Sequence, residues 1–280
     1  MSYKTILVQV EDSPQLERRV EAAARIAVTD GAHLIGMVLT GVAHFLNEEL
    51  STVHNDPNRA ESQARALRRR ADRAATKFDE IVRRIGVVSF ETHLIDDEFM
   101  PDVILLARCS DLLVLGQPDP SATASLIRPV FAEYALVNSG VPALVIPHAI
   151  TDAAIGERAL VAWNASAEAV RAVHYALPLL KLSTVVEIAI INAESHPDRY
   201  GEPPGSGIAH YLSRHGLKVE ILTPQTNANV GAALLDLAAV RNAGLLVMGC
   251  YGHPRFREVV LGGATQTALK SASIPVLMAH

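Results

Sequence analysis

The chain repeats itself over most of its 280 residues, and that repeat limits the folds open to it. Thr5 to Ser13 (TILVQVEDS) returns at Arg158 to Ser166 (RALVAWNAS). Asp111 to Gly116 (DLLVLG) returns at Gly244 to Gly249 (GLLVMG), and Val141 to His148 (VPALVIPH) returns at Ile274 to His280 (IPVLMAH). A repeat this long means two similar domains, each enclosing its own core, rather than a solenoid of small units. The expected domains are residues 1–148 and 157–280, with the linker around Ala149 to Glu157.

Each copy alternates short apolar runs with helical periodicity. In the first copy the runs are Ile6–Val10, His33–Thr40, Val87–Leu94, Leu112–Leu115 and Ala143–Ile146. Ser13 before Pro14 is a helix-start signal, since serine can cap and proline lacks an N–H that would be orphaned there. Between Ala60 and Ile85, Leu67, Ala71, Ala74, Phe78, Ile81 and Ile85 recur at steps of three and four. That spacing predicts one apolar helix face, with a solvated arginine-rich face opposite. Further helices are expected over Pro101–Cys109 and Leu126–Asn138. The pattern reads β-α-β-α-β-α-β-α-β in each copy, an α/β fold. Strands this apolar are expected to be buried on both sides, which implies a doubly wound parallel sheet under helices on both faces. In the second copy the Pro- and Gly-rich segment Asn192–Gly207 stands where the first has its long helix.

Bulk properties exclude several function classes. A net charge of −5 argues against a broad nucleic-acid surface, and Glu61, Asp72, Asp79 and Glu80 interrupt the arginines. No apolar run reaches the length of a membrane span, and the first residues lack the apolar core of a signal peptide, so a soluble cytoplasmic protein is expected. Cys109 and Cys250 lie in different copies without a CxxC and read as small buried residues of a reducing compartment. His210 and His215 are five apart, off the spacing that aligns metal ligands on a helix, and there is no HExxH. A GKS/GKT loop and a Gly-x-Ser-x-Gly elbow are also missing, which leaves kinase, NTPase and serine-hydrolase readings unsupported.

Ligands of open parallel sheets bind outside the carboxyl ends of the strands, where the strand order reverses. The loops after the first and fourth strands are therefore the places to look. In the second copy the fourth strand runs into Gly249-Cys250-Tyr251-Gly252, then nine residues, then Gly262-Gly263-Ala264-Thr265 and a helix through Ser271. Glycines let backbone approach a phosphate, and a helix start offers free N–H groups. The same glycines could equally make tight strand-to-helix turns. His253, Arg255 and Arg257 lie in the nine-residue loop, where they could face an anion or simply solvent. Trp163, at the end of the first strand of this copy, could stack on a base or fill the core.

Gly-x2-Gly-x9-Gly followed by a helix and a terminal Ile274-Pro275-Val276-Leu277-Met278 strand resembles the universal stress protein family. Ile6-Leu7-Val8 and its following helix extend the resemblance over nearly the whole chain, as a tandem form. The resemblance implies a five-stranded parallel sheet of order 3-2-1-4-5 per domain. It also implies, for one subgroup, ATP or another adenine nucleotide bound at the motif. On that basis the nucleotide-binding residues would be Gly249, Gly252, Gly262, Gly263 and Thr265 at the phosphates, with Asn164 toward the nucleoside and Mg²⁺ only as the nucleotide's companion.

Two departures bear on this. Nucleotide-binding members carry Asp at the end of the first strand, where this chain has Glu11 in one copy and Asn164 in the other. The family places Ser or Thr directly after the third glycine, where this chain has Gly263. The first copy has lost the motif: Gln117-Pro118-Asp119-Pro120 follows Gly116, removing N–H donors and adding a charge that repels phosphate. The expected function is a stress-response protein whose C-terminal domain holds an adenine nucleotide as a regulatory ligand. The alternatives are a nucleotide-independent interaction or chaperone-like module and a slow ATPase, for which no catalytic residue is visible. Expected partners are the sister domain, across the fifth strands, and a second copy of the chain; neither nucleic acid nor membrane is expected.

Overall fold

The computed structural model describes residues 2–50, 57–97, 101–118, 130–149, 155–195, 200, 203–251 and 263–280. The chain divides into two compact units, residues 2–141 and 142–280.

In the first unit the elements are β1 (Thr5–Val10), α1 (Leu16–Asp30), β2 (His33–Leu39), α2 (Val42–Leu50), α3 (Pro57–Ile85), β3 (Phe90–Ile95), α4 (Pro101–Arg108), β4 (Leu112–Gly116) and α5 (Phe131–Ser139). The strands lie in the order β3-β2-β1-β4 and all pair in parallel. Right-handed crossovers then put α1 and α3 on one face and α4 and α5 on the other. Accordingly α1 packs on α3, and α4 on α5. The predicted apolar stripe of α3 faces inward: Leu67, Ala71, Ala74, Phe78 and Ile81 are all buried. Burial of each large side chain contributes about 1.5–3 kcal/mol.

Three local expectations fail here for identifiable reasons. Ser13 does not cap α1, which begins at Leu16 without a side-chain cap; the Ser13 hydroxyl instead donates to Glu11 Oε1 at 3.1 Å. β3 begins at Phe90 rather than Val87, and it is not buried on both faces: Glu91 to Leu94 are exposed. An edge strand has one neighbour only, so the period-2 pattern there carries mixed polarity. Cys109 is exposed rather than buried, whereas Cys250 is buried as expected.

The second unit contains β5 (Ala143–Ile146), β6 (Arg158–Ala162), α6 (Ala167–Leu180), β7 (Val185–Ala189), a 3-10 turn (Ala193–Ser195), α7 (Ser206–Arg214), β8 (Val219–Leu222), α8 (Val230–Val240), β9 (Leu245–Gly249), α9 (Gly263–Ser271) and β10 (Val276–Ala279). Its parallel strands run β8-β7-β6-β9-β10, the expected order 3-2-1-4-5. β5, the last strand of the first copy, counts with this unit and pairs antiparallel to β10, Leu144 opposite Leu277 and Val145 opposite Val276. The apolar edge of β10 is thereby covered, as an unpaired apolar edge requires.

On the floor of the second sheet Glu187 is wholly buried and accepts from Arg158 Nη1 at 3.0 Å and Arg241 Nε at 2.7 Å. Two guanidiniums on one carboxylate tie the start of β6 and the end of α8 to β7, because a buried charge is tolerable only when paired.

Candidate functional site

The carboxyl ends of β6 and β9 are where the strand order of the second unit reverses, so the crevice falls between the loops that leave them. Chain geometry there is unusual. Ala165, after β6, has φ of 55°, and Tyr251, after β9, has φ of 58°. Left-handed backbone costs a side chain with a Cβ about 1–2 kcal/mol. The other two non-glycine residues of this kind among the described ones, Asn192 and Asn242, are asparagines, which adopt it more readily. Asn192 follows β7 and uses the conformation to fasten the next loop: its amide donates to Thr226 O at 3.0 Å, and its Oδ1 accepts from Thr226 N–H at 2.7 Å. All four lie in the second unit.

The turn after β6 is built from its polar residues. Asn164 Oδ1 accepts from Ser166 N–H at 3.1 Å, and Ser166 Oγ accepts from Ala169 N–H at 3.2 Å, capping α6. Asn164 is therefore not the helix cap; it shapes the turn, and its exposed amide is left at the crevice. Burial works against the Glu168 carboxylate, but its own backbone N–H, the Ser166 hydroxyl and Arg171 outweigh it and hold the carboxyl below the usual range. Arg171 Nη2 reaches Glu168 Oε1 at 2.8 Å, and its Nε donates to His280 O at 2.9 Å. The His280 ring meets Tyr251 edge to face at 5.9 Å. Beneath them the Cys250 thiol is pushed up by burial, with the Glu168 charge adding to it.

The remaining predicted residues fall as follows. Gly249 ends β9, and a Cβ there would stand 2.5 Å from Ala169 N and 2.6 Å from Glu168 C, so α6 can close on the strand only over a glycine. Gly263 opens α9, where a Cβ would lie 3.0 Å from Asn229 Nδ2. Thr265 sits in the first turn of α9 and is 4% exposed. Gly252 and Gly262, with His253, Arg255 and Arg257, lie outside the described residues, as do Asp119 and Pro120 of the first copy. No group of three metal-ligating side chains occurs among the described residues. Trp163 is half-buried, and its backbone N–H donates to Ala189 O at 2.9 Å.

The first copy fills the corresponding place from within. Arg19 of α1 is 2% exposed and lies at the ends of β1 and β4. Its Nε donates to Gln9 O at 2.7 Å and its Nη2 to Glu11 Oε1 at 2.6 Å. A Cβ at Gly116 would run into its Nη1, and Gln9 Oε1 accepts from Gly116 N–H at 2.9 Å. The repeat that sets Glu11 against Asn164 sets Gln9 against Ala162 and Arg19 against Ala172. One crevice thus holds a guanidinium clamped by a carboxylate and a backbone carbonyl, and the other has alanine in place of both Arg19 and Gln9. Asp12, next along, is held at 3.0 and 3.1 Å by Arg70 and Arg73 of α3. Arg19 escaped the sequence reading because a charged residue on an otherwise apolar helix face looks like surface until its partners are known.

Residues 157–280 match the model of the universal stress protein family. No curated protein matches the chain. Among solved structures, a universal stress protein from Archaeoglobus fulgidus DSM 4304 aligns at a TM-score of 0.70 and 15% identity, over 98% of this chain and 97% of that one. A protein from Pseudomonas aeruginosa UCBPP-PA14, provisionally described as a universal stress protein, aligns at 0.60 and 17% identity over 99% and 93%. A functionally unknown protein from Pseudomonas aeruginosa PAO1 aligns at 0.59 and 16% identity over 99% and 92%. At such identities the likeness is one of fold, and it runs through both copies. Residues 157–280 are a domain of the universal stress protein family, in a chain that carries the family's fold twice in tandem.

Proposed function

We propose that the C-terminal copy binds an adenine nucleotide as a regulatory ligand, and that the chain is a stress-response protein acting in the cytoplasm. The observation that carries this is the pair Ala165 and Tyr251: two residues held in a costly conformation on the two loops that flank the crevice. Local strain of this kind persists where the surrounding fold fixes a loop for a purpose. The Gly249-x2-Gly252-x9-Gly262 motif would supply backbone N–H groups to the phosphates, Gly263 and Thr265 the start of α9, and Asn164 a free amide to the nucleoside; any Mg²⁺ would arrive on the phosphates. The first copy would stay empty, since Arg19 already occupies its crevice. Bound ligand would shift conformation or partner choice by as much as its affinity differs between states.

A nucleotide-independent interaction module is the second reading, and it has its own support. The absence of a side chain at Gly249 is already explained by the closeness of α6, and the Thr265 hydroxyl is buried. Calorimetry with ATP, ADP and AMP on the full chain separates the two. One-site binding that is lost in Gly252→Asp supports the nucleotide; no heat at millimolar nucleotide overturns it and leaves the interaction module.

A further inference from the structure

β3 is the outermost strand of the first sheet, and among the described residues it pairs only with β2. The pairing runs unbroken over all six residues, Phe90 to Ile95, with neither bulge nor proline nor lysine in the strand. Those are the devices by which exposed edges are usually blunted. Glu91 to Leu94 are exposed, and Leu94 shows 56% of its surface. The strand is nevertheless held firmly from behind: Phe90 meets Phe78 of α3 edge to face at 6.1 Å, and Arg83 lies 5.1 Å over its ring.

The ladder shows which groups face away from β2. Leu34 N–H donates to Ser89 O and Thr40 N–H to Ile95 O, each at 3.0 Å. Along a parallel pair, residues that bond to the neighbour alternate with residues whose N–H and C=O face away. The odd-numbered residues of β3 therefore serve β2, and Phe90, Thr92 and Leu94 turn their peptide groups outward. We propose that this edge pairs with β3 of a second copy of the chain, antiparallel, with the two-fold axis at Thr92.

Register decides the occupant. An axis at Glu91 would set that carboxylate against its own copy, and an axis at His93 would set imidazole against imidazole. An axis at Thr92 places Thr92 opposite the partner's Thr92 and Phe90 opposite the partner's Leu94, using all three outward-facing residues as hydrogen-bonded pairs. It also places Glu91 opposite the partner's His93 in the non-bonded positions, where side chains stand closest. Within one chain Glu91 already lies 3.0 Å from His93 and 3.7 Å from His33, so pairing would extend an existing alternation of carboxylate and imidazole. The edge strand β8 of the second unit lacks this self-complementarity: its single charge, Glu220, faces Arg241 of the same unit at 3.4 Å.

Sedimentation of the full chain tests the proposal. A concentration-dependent dimer is expected, weakened at least tenfold by Thr92→Pro, which removes the central outward donor and leaves the inward ladder intact. In a Cys109→Ser background, Thr92→Cys should cross-link on mild oxidation. The hydrogen-bonded Cα pair would be about 5.5 Å apart, within disulfide reach. Leu94→Cys should cross-link only when mixed with Phe90→Cys. A wild-type chain that stays monomeric overturns the proposal, as does a dimer indifferent to Thr92→Pro in a variant with unchanged circular dichroism. Leu94→Cys alone linking as readily as Thr92→Cys would overturn the register and the pairing with it.

Discussion

Two residues, Ala165 and Tyr251, stand in a conformation their side chains disfavour, and each is followed or preceded by a bonded anchor that holds it there. Asn164 and Ser166 bracket Ala165 through the turn and the α6 cap. Tyr251 follows Cys250, whose N–H donates to Ala279 O at 2.9 Å. Replacing Ala165 by glycine removes the clash without touching either anchor. It should raise stability by about 0.5–1 kcal/mol, the relieved strain exceeding the extra freedom glycine gains when unfolded. Urea denaturation would detect this as a higher midpoint at constant slope. Gly249→Ala acts in the opposite sense: a methyl 2.5 Å from Ala169 N must push α6 off β9, with a cost of about 1–3 kcal/mol. A stable Gly249→Ala chain would mean that α6 yields more easily than the packing implies.

The elements differ in what ties them to the sheet, and the ties are what sequence patterns render poorly. Apolar runs located β1, β2, β4 and β5 well, because buried strands leave an unmistakable signal, and the 3.6-residue stripe located α3. β3 starts three residues after its apolar run does, since Val87-Val88 leads into an exposed edge. The glycine motif leads from the end of β9 to the start of α9 and can be read in the sequence, but the burial of Thr265 and the turn made by Asn164 depend on how the chain folds around them. Arg19 is the clearest case. Its partners Gln9 and Glu11 lie ten and eight residues away along the chain, and the hydrogen bonds appear only once α1 folds back on β1. Arg19→Ala should cost about 3–5 kcal/mol, because it strands the Glu11 carboxylate; Arg19→Met with Glu11→Gln should recover most of that. Equal losses in single and double variants would mean the guanidinium serves only as bulk. At the end of β3, Asp96 accepts from Arg68 at 2.6 Å and from Thr40 at 2.8 Å, and chiefly the Arg68 bond holds its carboxyl below the usual range. A lowered folded-state pKa contributes stability above the unfolded value, near 4, and loses it as pH falls through the folded value. The group is partly exposed, so the contribution is under about 1 kcal/mol. Asp96→Asn should flatten the acid limb of the stability profile by that small amount and leave neutral-pH stability slightly lower.

On the scale of the whole molecule, the two copies have diverged in one direction: the first has closed its crevice with its own charges, and the second has concentrated backbone strain around one. The two conditions make opposite demands on a ligand. A crevice filled by Arg19, Glu11 and Gln9 has no room for a nucleotide, since binding would have to displace the buried Arg19–Glu11 ion pair. A crevice flanked by strained loops carries the cost of those conformations in the folded state, and a ligand that binds that state offsets it. Hydrogen exchange on the full chain compares the copies under identical conditions. Saturating ATP should slow exchange after β6 and β9, where at a hundred times Kd the bound state is favoured by about 2.7 kcal/mol. The segments holding Glu11, Arg19 and Gly116 should keep their rates unless the whole chain opens as one unit. That case is recognised by an equal change in every slowly exchanging segment, β2 and β7 included. Protection gained at Glu11 and Arg19 alone would place the ligand in the first copy and refute the division of labour. Protection confined to the second copy, and lost in Gly252→Asp, would tie the ligand to the copy whose crevice lacks the Arg19 clamp.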